Sequence, residues 1–414
     1  MFTSFSTALS GLNANTTAID VVGNNLANLN TTGFKASGVS FQDLMSESVG
    51  NGLGAAQIGF GVSTPSTLIN FSQGAIQSTG GALDAAIQGD GFFVDQTLTG
   101  GTGYTRGGNF QVNSKGQLTT ATGELLQGWT MANGVLNTNA PVGNIAVPVG
   151  TLAAAQATKT TSVDLNLDAT ATNGTTNGTF STSVQIYDSL GISHIVTFNF
   201  TKTTTANQWT YSAGIPAADT TTPSTPVTGT LTFDSSGRLT APLSTAAQPV
   251  MTATGLVDGA ADLNITWNLY NGTTPRLAQF AQASATSAIG QDGTPAANLI
   301  SVGLANGGQI IAKYSSGQQL VVGQLAMAAI RNPESLIALG NSDFETSALT
   351  AAPTIGLPGT GGRGTVVGGS VESSNADIAK EFTNLIVYQR GYQANAKMVT
   401  TLDQLSQETI NLKQ

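Results

Sequence analysis

The chain contains few residues whose chemistry could support catalysis. Asp84 and Asp90 are close enough in sequence to supply the paired carboxylates of a hydrolase. Both adjoin turn sequence, where acidic side chains are usually solvated. A Ser-His-Asp triad could use only His194, the single histidine. Alternate residues of "SHIVTFNF" share one face of a strand, so His194 is expected to pack in a sheet beside Val196 and Phe198. The sequence therefore predicts no enzyme active site.

Metal and cofactor sites find equally little support in the sequence. The chain has no cysteine, which excludes disulfides, thiol catalysis and cysteine metal sites. One histidine leaves no His-based metal cluster. The Gly-Lys dipeptide of a phosphate-binding loop is absent, and the glycines of "GTGGRG" lack a strand–helix context. We therefore expect neither a cofactor nor a metal.

The composition favours a structural protein over a nucleic-acid binder. Charged residues make up 9% of the 414 residues, against about a quarter in typical domains, and the net charge is −9. A negatively charged chain is poorly suited to binding phosphate backbones. The abundance of Thr, Asn and Gly is typical of bacterial surface or appendage proteins. The N-terminus lacks the basic region of a Sec signal because the first basic residue is Lys35. Export would therefore need a route without a cleaved Sec signal.

Apolar residues near the N-terminus follow a heptad spacing, with alternate steps of three and four residues. This stripe predicts a helix over residues 1–30 that packs against a partner helix, although an amphipathic helix packed on its own domain is also compatible. Asp20 is the only charge in residues 1–34, so the opposite face also suits contact with protein. The ends are therefore expected to be disordered in a free subunit and to order against neighbouring copies. The apolar positions of the stripe are Phe2, Phe5, Leu9, Leu12, Ile19 and Leu26.

A second apolar stripe predicts a helix over residues 374–414. Ser374 and Asp377 have the spacing of a capping box, which would place the helix start there. This helix is expected to pair with the N-terminal one. The main positions of its stripe are Ile378, Phe382, Leu385, Tyr392, Val399 and Leu402.

The middle of the chain carries strand and turn signals, and the order of elements suggests nesting. The predicted fold is multidomain α+β: long terminal helices form a coiled-coil layer, and the mainly-β outer domain is inserted into an inner one. Glycine-rich segments at 50–61 and 356–369 are candidate hinges. The predicted parts between the helices are a Gly/Ser/Thr-rich linker region at 31–80, an inner β domain at 81–144 and 286–360, an outer β domain at 145–285, and a Gly-rich linker at 361–373.

The segment "GNNLANLNTTGF" closes the first helix with residues that tolerate turn geometry and can bond free helix carbonyls. Its amides could also hydrogen-bond neighbouring chains, although a plain helix stop is the alternative.

Four segments together resemble the bacterial flagellar rod and hook family. They are "ALSGLNANTTAIDVVGNNLANLNTTGFK", "FSQGAIQSTGGALDAAIQGDGFFV", "YTRGGNFQVNSKGQLTTATGELLQGW" and "VESSNADIAKEFTNLIVYQRGYQANAKMVTTLDQLSQETINLK". The stretch "IYDSLGISHIVTFNFTKTTTANQWTY" is similar to the outer domain of hook subunits. The length of the chain also suits a hook subunit better than a shorter distal rod subunit.

The resemblance implies a non-enzymatic structural subunit of the flagellar hook. Such subunits leave through the type III export apparatus, add beneath a hook cap and form a helical homopolymer that acts as a universal joint for motor torque. The implied partners are the rod protein proximally and the hook–filament junction protein distally. The implied location is the hook, on the extracellular side of the basal body. The alternatives are a distal rod protein and, from another class, a β-rich surface adhesin.

The residues expected to act in assembly fall into three groups. Those in the N-terminal helix are Phe5, Leu9, Leu12, Ile19 and Leu26. Those in the family motif loop are Asn24, Asn25, Asn28, Thr32, Gly33 and Phe34. Those in the C-terminal helix are Ile378, Phe382, Leu385, Tyr392, Val399 and Leu402.

Overall fold

The chain is divided into two compact units in the computed structural model, which describes residues 2–44, 46–49, 56–131, 136–221 and 224–411. The first unit comprises the described residues up to Val149 together with 301–313 and those from Gln319 onward; the second comprises 150–300 and 314–318. The predicted boundary at 285 is wrong. Strand Ala285–Gln291 pairs antiparallel with Thr160–Asp168 and so belongs to the second unit.

Two long helices, α1 (Phe2–Ala27) and α2 (Ile378–Asn411), lie in the first unit. The predicted start of the second helix at Ser374 is wrong. The side chain of Asp377 caps α2, because its Oδ1 accepts the backbone N–H groups of Ala379 (2.8 Å) and Lys380 (3.1 Å). Neither helix of the described chain is long and apolar enough to cross a bilayer.

The β core of the first unit is one sheet of long and short strands. A cluster of apolar side chains lies on each of its faces. Alternate residues reach opposite faces, so the adjacent rings of Phe92 and Phe93 enter different clusters. The main strands, in spatial order, are Gln309–Tyr314, Gln319–Leu325, Leu125–Thr130, Phe92–Gln96, Thr102–Thr105, Asp343–Glu345 and Ile337–Gly340. Shorter strands on the same sheet are Gln111–Val112, Leu118–Thr119, Gly143–Asn144, Met327–Ala329 and Thr354–Gly356.

Four two-stranded ribbons complete the first unit, and they replace both predicted linkers. The ribbons are Ser37–Ser40 with Ser66–Ile69, Ser46–Val49 with Ala56–Gly59, Ile76–Ser78 with Ser370–Glu372, and Ala85–Gln88 with Thr365–Gly368.

The segment 356–369 is therefore not a free hinge. Val366 is buried in the core, and a Cβ at Gly368 would lie 2.2 Å from the Leu304 carbonyl oxygen. The glycine there allows close backbone packing. Of the other candidate hinge, 50–61, residues 50–55 lie outside the described chain.

The second unit is built on two five-stranded sheets around one apolar core. The ring of Trp267 packs against the rings of Phe198 (centroids 4.9 Å apart) and Tyr211 (5.1 Å). One sheet contains Val250–Ala253, Leu263–Trp267, Thr160–Asp168, Leu277–Phe280 and Ala285–Gln291; the other contains Thr179–Tyr187, Ser193–Lys202, Gln208–Gly214, Val227–Phe233 and Leu239–Ala241. Smaller elements are strands Tyr270–Asn271 and Thr274–Pro275, with 3-10 turns at Thr176–Gly178 and Ala217–Asp219 here and Pro333–Ser335 in the first unit. Strands Leu152–Ala153 and Ala297–Leu304 pair with each other and belong to the large sheet, in which Ala297–Leu304 is next to Gln309–Tyr314.

Candidate assembly surface

The helices α1 and α2 pack against each other along a stripe of small residues. Gly11 lies against Asn395, Gly391 against Asn15, and Asn25 bonds Glu381. These pairs advance along α1 while receding along α2, so the helices are antiparallel. The buried face of α1 consists of Ala8, Gly11, Ala14, Ala18, Val22 and Asn25.

Each helix contains a Gly-x-x-x-Asn pair, and the asparagine of each helix packs on the glycine of the other. The Nδ2 of Asn15 donates to the Gly11 carbonyl (2.7 Å), and the Nδ2 of Asn395 donates to the Gly391 carbonyl (3.0 Å). Each Asn side chain then covers the glycine of the other helix, where a Cβ would lie 2.9 Å or less from an amide atom. The backbones can approach because glycine leaves that space free.

The predicted heptad stripes are not the seam of this helix pair. Phe5 and Leu9 are each 44% exposed, and Ile378 and Phe382 are 53% and 52% exposed. Tyr392 is also exposed, whereas Leu12, Ile19, Leu26, Leu385, Val399 and Leu402 are half-buried. Small residues give the closer helix approach, and this leaves the large apolar side chains outside. Within one chain both helices pack against each other; disorder of the ends in a free subunit stays a prediction.

The large side chains left outside form what we term the helix-pair surface. Among the α1 side chains that the structure describes, it contains Phe5 and Leu9; Asp20 is the one charged residue among the described positions of that helix. Contiguous exposed apolar patches usually mark protein contacts, and these side chains are the candidates on the helix pair. Its members on α2 are Ile378, Phe382, Ile386, Val387, Tyr392, Met398, Leu405 and Ile410.

The asparagines in the last turn of α1 and just after it bond within their own chain. Asn25 is buried and holds the first ribbon: its Nδ2 donates to the Ser37 carbonyl (2.8 Å) and to Glu381 Oε1 (3.2 Å), and its Oδ1 accepts the Ser37 N–H (3.0 Å). Asn28 Nδ2 donates to the backbone carbonyl and the side-chain oxygen of Asn24. These hydrogen bonds end α1 and attach it to the β body. The sequence pattern alone does not decide between this use and bonding to neighbouring chains.

Gly33 is required by the backbone of the motif loop. Its φ is 70°, and a Cβ would lie 2.5 Å from the backbone of Arg106. Its N–H donates to the Glu372 carbonyl (2.8 Å). The carbonyl of Thr32 accepts the Ser342 hydroxyl, and the half-buried Phe34 accepts the Asn375 N–H through its carbonyl. The loop thus joins the end of α1 to the approach to α2.

Beneath the loop lies a buried charge cluster of Lys35, Arg106 and Glu372. Glu372 is fully buried; its Oε1 pairs with Lys35 Nζ and its Oε2 with Arg106 Nη1 (3.0 Å). Lys35 also donates to the Ser72 carbonyl, and Arg106 to the Gly89 carbonyl. Burial lowers the pKa of Lys35, and the adjacent Glu372 carboxylate opposes that shift. Buried charges are tolerated only in good geometry. This cluster therefore holds the segment that follows α1 and the segment that precedes α2 in one arrangement; we call these two segments the base of the helix pair.

The sequence analysis did not predict this cluster, although the small number of charged residues could have drawn attention to its members. In a chain with so few charged residues, Lys35 directly after the motif loop and Glu372 just before α2 stand out. Their partnership depends on tertiary contacts that join distant segments. Of the acids considered for hydrolysis, Asp90 is exposed and Asp84 accepts the Thr79 hydroxyl.

Family models match four consecutive regions of the chain. The model described as "Flagella basal body rod protein" matches residues 5–35, and "Flagellar hook protein FlgE/F/G D1 domain" matches 86–173. "Flagellar basal body protein FlaE D2 domain" matches 157–294, and "Flagellar basal body rod FlgEFG protein C-terminal" matches 367–412.

Relatives match over the whole chain. Flagellar hook protein FlgE of Borreliella burgdorferi is 33% identical over 100% of both chains, and that of Salmonella typhimurium is 33% identical over 99% of this chain and 100% of its own. A crystal structure of Helicobacter pylori flagellar hook protein FlgE2 aligns with a TM-score of 0.52 at 13% identity, covering 72% of this chain and 99% of that one, which supports the fold. The chain therefore belongs to the flagellar hook protein family, whose members are structural and not enzymatic.

Proposed function

We propose that the chain polymerises into the flexible tube of the flagellar hook, with the helix-pair surface as its main inter-subunit contact. The observation that carries this proposal is that the helix pair buries its small side chains and exposes its large apolar ones. Small residues are buried within the subunit, and large apolar residues remain exposed on a nearly uncharged α1. Neighbouring copies would cover these side chains and form the inner, coiled-coil layer of the tube.

Helical growth follows from the asymmetry of such a contact. A head-to-tail contact that does not close into a ring generates a helical polymer with a channel or groove along its axis. The buried cluster at Glu372 would transmit force between the helix pair and its β body, because it ties both helix bases to the ribbons. Weakly charged outer β surfaces can slide as the tube bends, which suits a universal joint that transmits motor torque.

The wider setting follows from the family. The tube would join the rod protein at its proximal end and the hook–filament junction protein at its distal end, with a hook cap present during growth. Subunits would pass through the type III export apparatus. The full-length relatives are named hook proteins, which favours this assignment over a distal rod protein.

The test places a charge on the helix-pair surface. Leu9→Asp and Phe382→Asp should each raise the concentration needed for tube formation by about 100-fold, since an unpaired charge would be buried at the contact. Sedimentation and electron microscopy measure assembly, and circular dichroism measures folding. Leu98→Asp is the matched control, because Leu98 is 79% exposed in a loop of the β body. Normal tubes from Leu9→Asp and Phe382→Asp would refute the proposal.

A further inference from the structure

We infer that the second unit contains a zinc site formed by Asp188, His194 and Asp258. One ligand atom from each of the three lies within 4.8 Å of the others. His194 Nε2 is 3.1 Å from Asp188 Oδ2 and 3.2 Å from Asp258 Oδ2. Ligand atoms around a tetrahedral Zn²⁺ are about 3.3 Å apart, given metal–ligand distances of about 2.0–2.2 Å. The two distances from Nε2 therefore fit a single shared ion, and the two carboxylate oxygens lie within 4.8 Å of each other.

The other nitrogen of His194 is placed as zinc-binding histidines require. Its Nδ1 lies 3.3 Å from Asp219 Oδ2, so the Nδ1 proton has an acceptor and the Nε2 lone pair can face the two remaining carboxylates. A carboxylate behind the histidine is the usual second partner that fixes the ring and its tautomer in zinc sites. Asp219 thus acts as a positioning residue.

In each ligand carboxylate, Oδ1 is held by backbone N–H groups, and Oδ2 faces the His194 ring. Asp188 Oδ1 accepts the N–H groups of Leu190 (2.8 Å) and Ile192 (2.9 Å), which leaves Oδ2 directed at the ring. Asp258 Oδ1 accepts the Ala260 N–H (2.9 Å). Asp258 Oδ2 is buried and receives no hydrogen bond, although it lies beside Nε2. The one N–H that Nε2 can carry cannot serve the carboxylate oxygens of both Asp188 and Asp258, whereas a shared ion would contact both.

Charge supports the same assignment. The side chains of Asp188 and His194 are 0% and 7% exposed, and those of Asp258 and Asp219 are 16% and 32% exposed. Among the ion pairs of the described residues, none joins these aspartates to a Lys or Arg. Asp188 and Asp258, the two less exposed carboxylates, therefore share at most one positive imidazole, and an uncompensated negative charge is costly where it is buried. A divalent cation compensates the excess, and the nitrogen ligand favours Zn²⁺ over Mg²⁺ or Ca²⁺, which prefer oxygen ligands.

The sequence argument overlooked this site because it asked for several histidines. One histidine with two aspartates suffices, but these residues come from a hairpin turn, a strand and a separate loop. Only the folded unit brings them together.

The test is zinc binding by the full-length monomer, stripped of metal and titrated with ZnCl₂. We expect one Zn²⁺ per chain, bound about 100-fold more weakly by His194→Gln and by Asp188→Asn. Asp219→Asn should weaken binding about 10-fold, as loss of a positioning residue does. Asp234→Asn is the matched control: Asp234 also accepts N–H groups two and four residues ahead, but it has no histidine partner. Its affinity for Zn²⁺ should equal that of the wild type.

A second readout uses the single imidazole of the chain. Addition of Zn²⁺ should shift the Nε2 resonance of His194 and leave Nδ1 protonated in nitrogen NMR spectra, whereas Mg²⁺ and Ca²⁺ should leave both unchanged. Near-ultraviolet circular dichroism checks that the variants fold. The inference is overturned if Zn²⁺ leaves the imidazole unchanged, if His194→Gln binds it as tightly as the wild type, or if Ca²⁺ binds in place of Zn²⁺.

Discussion

The second unit and the helix pair of the first unit use their apolar residues in opposite ways. The second unit turns its largest side chains inward, and Trp209 and Trp267 are completely buried. The helix pair buries alanines and glycines and leaves Phe5, Leu9 and Phe382 in contact with solvent. The second unit also exposes some large apolar side chains, such as Phe280 (53%) and Ile300 (70%), but its strands share an apolar core of their own. The helix pair retains apolar area that only another molecule can cover, which is why we assign assembly to it.

Removing the central ring of the second unit should have the largest effect on stability. Trp267→Ala deletes a fully buried side chain and should lower the free energy of unfolding of that unit by about 4 kcal/mol. Hydrogen exchange measured by mass spectrometry should show faster exchange in residues 150–300 and unchanged protection of α1 and α2. Trp129→Ala, in the first unit, should speed exchange in the first unit and leave the protection of residues 150–300 unchanged. Equal loss of protection in both units would show that the two units unfold together.

Breaking the buried charge cluster should weaken the helix pair by a slightly smaller amount. Glu372→Gln leaves Lys35 and Arg106 buried without a counter-charge and should destabilise the first unit by about 3 kcal/mol. Trypsin should then cleave α2 after Lys380 and Arg390 sooner than in the wild type. The control Glu334→Gln changes an exposed residue and should leave cleavage unchanged. Cleavage of Glu372→Gln at the wild-type rate would show that the helix bases are held by other contacts.

The smallest effect concerns a pair of buried acids in the first unit. Asp95 and Asp343 lie on strands that flank Thr102–Thr105. Burial, with the nearby Asp343 carboxylate, raises the pKa of Asp95 to about 8, and burial raises that of Asp343 to about 6. The folded state therefore retains protons that the unfolded chain has lost, so the stability of this unit falls as pH rises from about 4 to about 8.

Asp95→Asn should remove most of that loss, because the amide cannot ionise. We expect a gain of about 2 kcal/mol at pH 8 and almost none at pH 4, measured by urea unfolding at both values. The exposed Asp90→Asn serves as the control. A variant whose stability keeps the pH slope of the wild type would show that the carboxyl pair is ionised in the folded chain.

Sequence periodicity identified the helices but assigned their contacts to the wrong face. A heptad rule selects large apolar residues such as Leu9 and Phe382, whereas the intrachain seam uses Gly11 and Gly391. The Gly-x-x-x-Asn pair in each helix was visible in the sequence, yet its meaning depends on knowing that the helices meet. The assembly role of the large residues stays a prediction.

Glycine content was similarly ambiguous. The run at 356–369 reads as a flexible linker, but its glycines permit close backbone approach in paired strands. Strand alternation in the second unit was easier to interpret: His194, Val196 and Phe198 share the buried face as predicted. The aspartates around His194 were not predictable, because Asp219 and Asp258 come from turns distant in sequence.

The antiparallel arrangement of α1 and α2 has a practical consequence for labelling. Because Gly11 meets Asn395 and Asn25 meets Glu381, the start of α1 and the last turns of α2 lie at the same end of the helix pair. A fluorescent or affinity tag fused beyond either helix would therefore occupy the same space. A dye for tracking the subunit is better attached at Ser235, an exposed position in a tight turn of the second unit.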